Sequence, residues 1–320
     1  MKKSYLLCLL ATVFLAVSCS REEIRPGTDT ESANEIPFHD RYTPEEEAFL
    51  GEDPSFKYEG MQNMATVYKD NNLAMGNPSG ASSNSYYHWN YRVTKPEYTM
   101  SYHRDRGTPN WVSWHLNKAW LGSASRSSGF YQDYALPSGW YRVSSGDYTN
   151  SGFDRGHNCP SADRTLSSSE NQSTFYMTNV IPQSPDVNQR AWASLENYCR
   201  DLVRYQNKEL YVIMGSYGTG GSGRNGYKSK IANNKVTVPN RVWKVILVLP
   251  EGSSDLSRVT TSTRVIAVDM PNSMNVSTNW ASYRTTVDYI EQVRGYNLFS
   301  QLPSYVQSAI ESKVDNGPTS

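Results

Sequence analysis

A histidine and an arginine stand two residues apart in the segment Asp154-Arg155-Gly156-His157. An imidazole suits the role of general base, because its ordinary pKa of about 6.5 leaves it neutral at mildly alkaline pH. In extended backbone Arg155 and His157 project to the same side, and Gly156 would allow a substrate backbone to approach closely. A base beside a fixed cation suits hydrolysis of a phosphate ester. The alternative is a structural histidine in a loop between turns.

A helix predicted from about Asn188 to Tyr205 places further polar side chains within reach of such chemistry. Its buried stripe is indicated by apolar residues at spacings of three, four and three, namely Trp192, Leu195, Cys199 and Leu202. Asn188 lies at or near the first turn, and its amide oxygen is the simplest direct metal ligand. A site with few protein ligands and many waters is one that magnesium tolerates.

Glu196 lies eight residues after Asn188, which is about 12 Å along the helix axis. We therefore expect Glu196 to act outside the metal's direct ligands, through hydrogen bonds. Arg200 follows Glu196 by four residues, the favourable order for a helical ion pair. An exposed Glu196–Arg200 pair with no role in chemistry is the alternative, and spacing alone does not decide between the two.

Both segments resemble the DNA/RNA non-specific endonucleases, which are the ββα-metal nucleases. The 154–157 tetrad matches the family signature as it stands, and Asn188, Trp192 and Glu196 match its downstream helix at the same spacing. One departure is Arg190, which stands where family members often have glycine after the Asn-Gln pair. Weaker matches extend the resemblance over about residues 85 to 305: Arg200, Thr178-Asn179, Pro182-Gln183, Asn110–Leu116, Arg126, Phe130, Asp133, Val238-Pro239, Trp243-Lys244, Ile290-Glu291 and Gly295.

The resemblance implies a metal-dependent endonuclease that hydrolyses phosphodiester bonds of DNA, RNA or both. Indifference to base identity is expected where contacts go to the backbone. The implied cofactor is Mg²⁺, with Mn²⁺ as the other possible ion. In these roles His157 deprotonates water, Asn188 holds the hydrated ion, and Glu196 orients metal-bound water.

Four further residues receive weaker assignments from the same resemblance. Arg155 and Arg200 either grip phosphate or hold the site together, and Arg126 is a candidate for substrate binding. Asn179 is expected to support His157 or the surroundings of the metal. Two other functions stay open: a surface lipoprotein that binds nucleic acid without cutting it, and a phosphodiesterase for smaller substrates.

Strands dominate the predicted elements, and helices are interspersed without strict alternation. This pattern favours an α+β arrangement, and the resemblance implies the ββα-metal nuclease fold with a central, mainly antiparallel sheet and flanking helices. The predicted strands are Tyr91–Val93, Trp111–Leu116, Thr174–Val180, Glu209–Met214, Val236–Leu249 and Arg264–Val268. Further helices are predicted at Trp280–Arg294 and Pro303–Lys313, and a turn cluster at Gly215–Gly226.

The N-terminus has the pattern of an export signal. Lys2 and Lys3 precede an apolar run from Tyr5 to Val17, and small residues then lead to Cys19. This resembles a bacterial lipoprotein cleavage site, with lipid attached to Cys19; ordinary cleavage that leaves a free thiol is the alternative. We therefore predict an exported lipoprotein anchored to a membrane, the outer membrane on either its periplasmic or its surface face.

The predicted domains are a signal peptide over 1–18, a flexible tether over 19–60, and a nuclease domain over 61–320 with its core at about 85–315. Residues 21–60 contain 12 acidic and 4 basic residues, whereas residues 61–320 contain 19 acidic and 25 basic ones. A mildly basic body is expected of a protein that binds a phosphate backbone. The sequence leaves open whether Cys159 and Cys199 form a disulfide.

Overall fold

A seven-stranded antiparallel sheet forms the middle of the part described by the computed structural model, which covers Lys69 and residues 71–319. The sheet has the strand order β1-β2-β3-β6-β11-β12-β13, and three two-stranded sheets pair β4 with β5, β7 with β8 and β9 with β10. The strands are β1 (Tyr91–Lys95), β2 (Tyr98–His103), β3 (Thr108–Leu116), β4 (Asp154–His157), β5 (Val180–Gln183), β6 (Lys208–Tyr217), β7 (Gly221–Gly223), β8 (Gly226–Lys228), β9 (Lys230–Ile231), β10 (Val236–Thr237), β11 (Arg241–Pro250), β12 (Arg264–Pro271) and β13 (Arg284–Thr285).

Within the described residues, five α-helices flank these strands, and a π-helical turn at Val187–Trp192 leads directly into the longest of them. The α-helices are α1 (Ser168–Ser173), α2 (Ala193–Gln206), α3 (Asp255–Arg258), α4 (Val287–Arg294) and α5 (Ser304–Glu311). Short 3₁₀ turns occupy Lys118–Trp120, Ser145–Tyr148, Ser161–Asp163, Met177–Asn179 and Trp280–Tyr283. None of the helices in the described part of the chain has the length and hydrophobicity that a membrane crossing requires.

Both faces of the central sheet are buried, and side-chain alternation along each strand assigns residues to two cores. On β11, Val242 and Ile246 belong to the core that also contains Trp192 and Leu195 of the helical segment after β5. Their neighbours Trp243, Val245 and Leu247 belong to the opposite core, which contains Val287 and Ile290 of α4 and Val306 and Ile310 of α5. Successive strand residues point to opposite faces of the sheet. Because both faces are covered here, nearly every residue of β11 is apolar.

The α+β class and the mainly antiparallel sheet are confirmed, but several predicted elements are wrong in detail. Thr174–Val180 is not a strand, since Met177–Asn179 is a 3₁₀ turn and β5 starts only at Val180. Val236–Leu249 is two strands in different sheets, β10 and β11, separated by a segment that contains Pro239, which has no backbone N–H.

The predicted helix Trp280–Arg294 is divided, because β13 pairs with β12 and the side chain of Thr286 caps α4 by accepting from the Tyr289 amide. In the predicted turn cluster at 215–226, β6 runs on through Tyr217, and β7 and β8 then form a hairpin.

Cys159 and Cys199 are both buried and both free thiols, so the disulfide left open by the sequence is not formed. Burial raises the pKa of the Cys199 thiol to about 12 and also raises that of Cys159. Both are therefore chemically unreactive in the folded protein. The predicted signal peptide, the predicted tether and Cys19 lie outside the described residues.

Candidate active site

Two short strands and the helical segment that follows them carry the polar residues identified in the sequence. β4 pairs with β5 in antiparallel register, with Asp154 opposite Gln183 and His157 opposite Val180. The chain then turns into the π-helical segment, where the backbone N–H of Asn188 donates to the Ser184 carbonyl over 2.9 Å. The pairing of the strands and this turn bring the tetrad and Asn188 into one local unit of two strands and a helix.

The imidazole of His157 packs against two phenylalanine rings that also contact each other, with their centroids 5.0 Å apart. Its centroid is 5.2 Å from that of Phe130 and 4.8 Å from that of Phe175. Its Nε2 atom is buried and has no hydrogen-bond partner among the described residues. Burial lowers the pKa of His157 to about 3, and the positive charge of Arg126 adds to this effect. The ring is therefore neutral and has a nitrogen lone pair that can accept a proton.

Two arginines approach the same aromatic pair. The Arg155 guanidinium lies 5.5 Å from the Phe130 centroid, and its Nη2 donates to the Ser145 carbonyl over 2.9 Å. Because Arg155 and His157 share the Phe130 ring, they project to the same side of β4, as extended backbone predicts. The exposed Arg126 guanidinium lies 4.8 Å from the Phe175 centroid. Partial burial lowers the pKa of Arg126, and the nearby Glu196 carboxylate opposes this effect.

The carboxamide of Asn188 is oriented by Asp154. Asn188 Nδ2 donates to Asp154 Oδ2 over 3.0 Å, and Gln189 Nε2 donates to the same oxygen over 2.6 Å. An ionised carboxylate only accepts hydrogen bonds, so the nitrogen of the Asn188 amide must face Asp154. The amide oxygen of Asn188 consequently points away from Asp154 and is left for another partner.

Glu196 pairs with a lysine from the central sheet. Lys244 of β11 is almost fully buried, and its Nζ donates to Glu196 Oε1 over 3.2 Å while lying 4.5 Å from the Trp192 ring centroid. Burial raises the pKa of the Glu196 carboxyl, and the positive charges of Lys244 and then Arg200 oppose this effect. The sheet thus supplies a fixed cation beneath the helical carboxylate.

Arg200 is buried, and its side-chain hydrogen bonds go to residues other than Glu196. Its Nη1 donates to Asp163 Oδ1 over 2.7 Å, and its Nη2 donates to Asn197 Oδ1 over 2.6 Å. The alternative of an exposed Glu196–Arg200 pair therefore does not occur. Of the two roles open to Arg200, this placement supports holding the site together rather than gripping phosphate.

Asn179 fastens the segment that follows His157. Its Oδ1 accepts from the Cys159 amide over 2.9 Å, and its Nδ2 donates to the carbonyls of Cys159 and Thr174 over 2.9 and 2.8 Å. Because the amide is fully buried and used in backbone contacts, its support for His157 acts through the chain rather than through direct contact.

The space left by the missing side chain of Gly156 is filled by the Gln183 side chain. The sequence had suggested that a substrate backbone would approach there. A Cβ atom added at Gly156 would lie 2.6 Å from the Cβ of Gln183, the residue of β5 that pairs with Asp154. Any larger residue would push β4 and β5 apart. The glycine therefore maintains the strand pairing that holds Asp154 and His157 in place.

Comparison with known protein families decides what this arrangement belongs to. The family model described as DNA/RNA non-specific endonuclease matches residues 76–305. This match covers well over half of the chain. The chain belongs to the DNA/RNA non-specific endonuclease family.

Relatives of this endonuclease agree with the assignment. It is 46% identical over 244 residues to a nuclease of Nostoc sp., covering 76% of this chain and 86% of the relative. It is 37% identical over 167 residues to the mitochondrial endonuclease G of Bos taurus, covering 50% of this chain and 54% of the relative. A solved structure described as the EndoG/EndoGI complex superposes with a TM-score of 0.58 at 26% identity, covering 73% of this chain and 91% of that one. The ββα-metal nuclease fold and the hydrolysis of DNA or RNA by a metal-dependent endonuclease are thereby confirmed.

Two features of this endonuclease's site were missed in the sequence. The first is the contact by which Asp154 orients the Asn188 amide. Asp154 stands in the recognised tetrad, but this contact depends on how β4 and the π-helical turn lie in space. Lys244 had a visible signal, since it is a single charged residue in the otherwise apolar run Val242–Leu249. A lysine in a buried strand is expected to have a partner, but the sequence does not say which one.

A second buried group of possible ligands is formed by His115, Glu209 and Asp255, whose ligand atoms lie within 4.8 Å of one another. Arg258 donates to both Glu209 and Asp255, so the two carboxylates have a counter-charge within the chain. This group involves none of the residues that the sequence assigned to the metal site.

The lowered pKa of His157 predicts a specific pH dependence of stability. In the unfolded chain His157 takes up a proton as the pH falls below about 6.5, whereas in the folded protein it does so only near pH 3. The free energy of unfolding contributed by this residue is therefore lost as the pH is lowered through that window. We expect urea unfolding at pH 7.5 and 4.5 to show a smaller loss for His157→Gln than for the parent. Equal losses in the two proteins would contradict the buried, neutral imidazole.

Proposed function

We propose that this endonuclease cuts the nucleic-acid backbone with His157 as general base and with one hydrated Mg²⁺ held by Asn188. The observation that carries this proposal is the Asp154–Asn188 contact, because it leaves an amide oxygen available. An amide oxygen is a hard ligand of the kind that Mg²⁺ accepts, with water completing its coordination. When bound, Mg²⁺ would supply positive charge to the phosphate and the leaving oxygen. Mn²⁺ has the same ligand preference and is the other candidate.

His157 receives the proton of the attacking water. Its neutral ring and its unpartnered, buried Nε2 support this role, since a base that was already protonated or hydrogen-bonded would have to release its partner first. Phe130 and Phe175 pack together against the ring and limit its rotation. The protein thus provides an oriented base before any substrate binds.

Arg126 is the cation best placed to grip a phosphate. It is exposed, it packs on Phe175 beside His157, and its charge is felt by both His157 and Glu196. Arg155 donates to the Ser145 carbonyl and lies against Phe130, so it steadies the aromatic wall and adds positive charge to the same side. Glu196, held by Lys244, is available to accept hydrogen bonds from ordered water.

Substrate cleavage by the parent and by His157→Ala tests the assignment of the base. Supercoiled plasmid with Mg²⁺ should be degraded by the parent, EDTA should stop the reaction, and restored Mg²⁺ or Mn²⁺ should revive it. His157→Ala should lose about 10²–10⁴-fold in rate while its circular dichroism and its nucleic-acid binding stay close to those of the parent. His88→Ala, which replaces a histidine outside the site, should cut at the parent rate.

A His157→Ala variant that cuts as fast as the parent would show that another group acts as base. The parent's rates on plasmid and on a dinucleotide model ester separate an endonuclease from a phosphodiesterase of small substrates. A clear preference for plasmid is the expected result.

We also propose that the protein is exported and anchored to a membrane through lipid on Cys19. The support comes from the sequence, where two lysines, an apolar run of signal-peptide length and small residues precede Cys19. The lipid would keep the nuclease at the outer membrane, on its periplasmic or its surface face.

Cys19→Ser tests this localisation. After cell fractionation, the parent should sediment with membranes and be extracted by detergent, whereas the variant should appear in the soluble fraction with equal nuclease activity per molecule. A parent protein that is already soluble, with no lipid on Cys19 by mass spectrometry, would refute the anchor.

A further inference from the structure

Three carboxylates meet between the two C-terminal helices. Asp288 and Glu291 stand three residues apart on α4 and therefore share one face of that helix, and Glu311 lies at the last position of α5. One oxygen from each carboxylate can be chosen so that all three atoms lie within 4.8 Å of one another. Like charges at this separation repel unless a proton or a cation lies between them.

Glu311 is the unusual member of this acidic triad. The residue is only 5% exposed, and its Oε1 atom is buried without a hydrogen-bond partner among the described residues. Burial raises the pKa of Glu311 to about 8, and the charges of Glu291 and Asp288 add to the effect. A buried, unpartnered carboxylate oxygen costs free energy, so its retention calls for a ligand.

No basic side chain in the described part of the chain forms an ion pair with the triad. The two basic residues that flank it in sequence have other partners, since Arg294 donates to the Tyr296 hydroxyl and Lys313 to the Thr261 carbonyl. Glu291 Oε1 accepts from the Leu298 amide over 2.6 Å, which fixes this carboxylate in position. In the His115–Glu209–Asp255 group, by contrast, Arg258 forms ion pairs with both carboxylates.

We propose that Asp288, Glu291 and Glu311 form a binding site for a divalent cation, of which Ca²⁺ fits best. Three carboxylates with ligand atoms within 4.8 Å of one another form the oxygen-only donor set that Ca²⁺ binds. Ca²⁺ accepts carboxylates in flexible geometry, whereas Mg²⁺ demands a near-ideal octahedron, so Ca²⁺ better tolerates carboxylates fixed on two separate helices. The exposed Asp288 leaves room for water ligands.

The cation would join α4 to α5. Both helices contribute to the core on the same face of the central sheet, through Val287 and Ile290 of α4 and Val306 and Ile310 of α5. Neutralising the triad would remove the repulsion between carboxylates of the two helices. The site is separate from Asn188, so it would stabilise the fold without taking part in cleavage, and the proposal does not depend on the catalytic assignments.

Thermal unfolding with and without Ca²⁺ tests the site in the full chain carrying Asn188→Ala, which removes the proposed catalytic ligand. For three carboxylates near the surface we expect half-saturation at about 0.1–1 mM, in the range of weak extracellular sites. At 10 mM CaCl₂ the Tm should then rise by about 3–6 °C. Adding Glu311→Gln or the surface change Asp288→Asn should abolish the rise, whereas Asp201→Asn, an exposed carboxylate on α2, should leave it intact.

Glu311→Gln replaces a carboxyl whose ionisation is disfavoured by burial with a neutral group of similar shape, so without Ca²⁺ this variant should be at least as stable as its parent. Equilibrium dialysis with ⁴⁵Ca should find one ion per chain that is lost in Glu311→Gln. The proposal is overturned if the Tm does not respond to Ca²⁺, or if the rise survives Glu311→Gln. It is equally overturned if the triad is stabilised only by protonation, with a Tm that rises below pH 8 and ignores Ca²⁺.

Discussion

The contact between Asp154 and Asn188 determines which atom of the helical amide is available to a metal. Either end of a carboxamide could face the cleft, and only a neighbour that accepts without donating fixes the choice. Asp154 is such a neighbour, and it is itself held by the pairing of β4 with β5. Strand pairing, the packing of Gln183 on Gly156 and the π-helical turn therefore all contribute to the placement of one oxygen atom.

Around this contact, buried charges occur in pairs and the base is kept uncharged. Lys244 neutralises Glu196 from the sheet, and Asp163 neutralises Arg200 from the loop side. His157, packed against two phenylalanines, is neutral because burial disfavours its protonated form. These pairings leave the exposed Arg126, which packs on Phe175, available to meet a phosphate. The two arginines considered for phosphate binding from the sequence therefore differ in surroundings: Arg200 is buried and paired with Asp163, whereas Arg126 is exposed.

The sequence predicted the fold class, the residues that match the family and most strands of the central sheet, because these depend on local pattern and on recognisable motifs. It failed where distant contacts decide. The segment Thr174–Val180 is not one strand, since a 3₁₀ turn occupies Met177–Asn179, and the Asn179 side chain bonds the backbone at Cys159, twenty residues earlier. The partner of Glu196 is Lys244 in β11 rather than Arg200 one helical turn away, since only the packing of the sheet brings that lysine under the helix. The π-helical turn, which sets the direction of Asn188, leaves no mark in the periodicity of the apolar residues.

The role of Asp154 in orienting Asn188 is tested most directly by the Mg²⁺ dependence of plasmid cleavage in Asp154→Ala. Asp201→Asn is a control with an equal change of charge. Removal of a residue that orients a metal ligand typically costs about 10–100-fold in metal affinity or activity. We therefore expect the Mg²⁺ concentration for half-maximal rate to rise by about that factor in Asp154→Ala, with the fold intact and with rate recovered at high Mg²⁺, while the control matches the parent. A variant with the parent's Mg²⁺ dependence would show that Asp154 does not orient the metal ligand, and the central claim would be wrong.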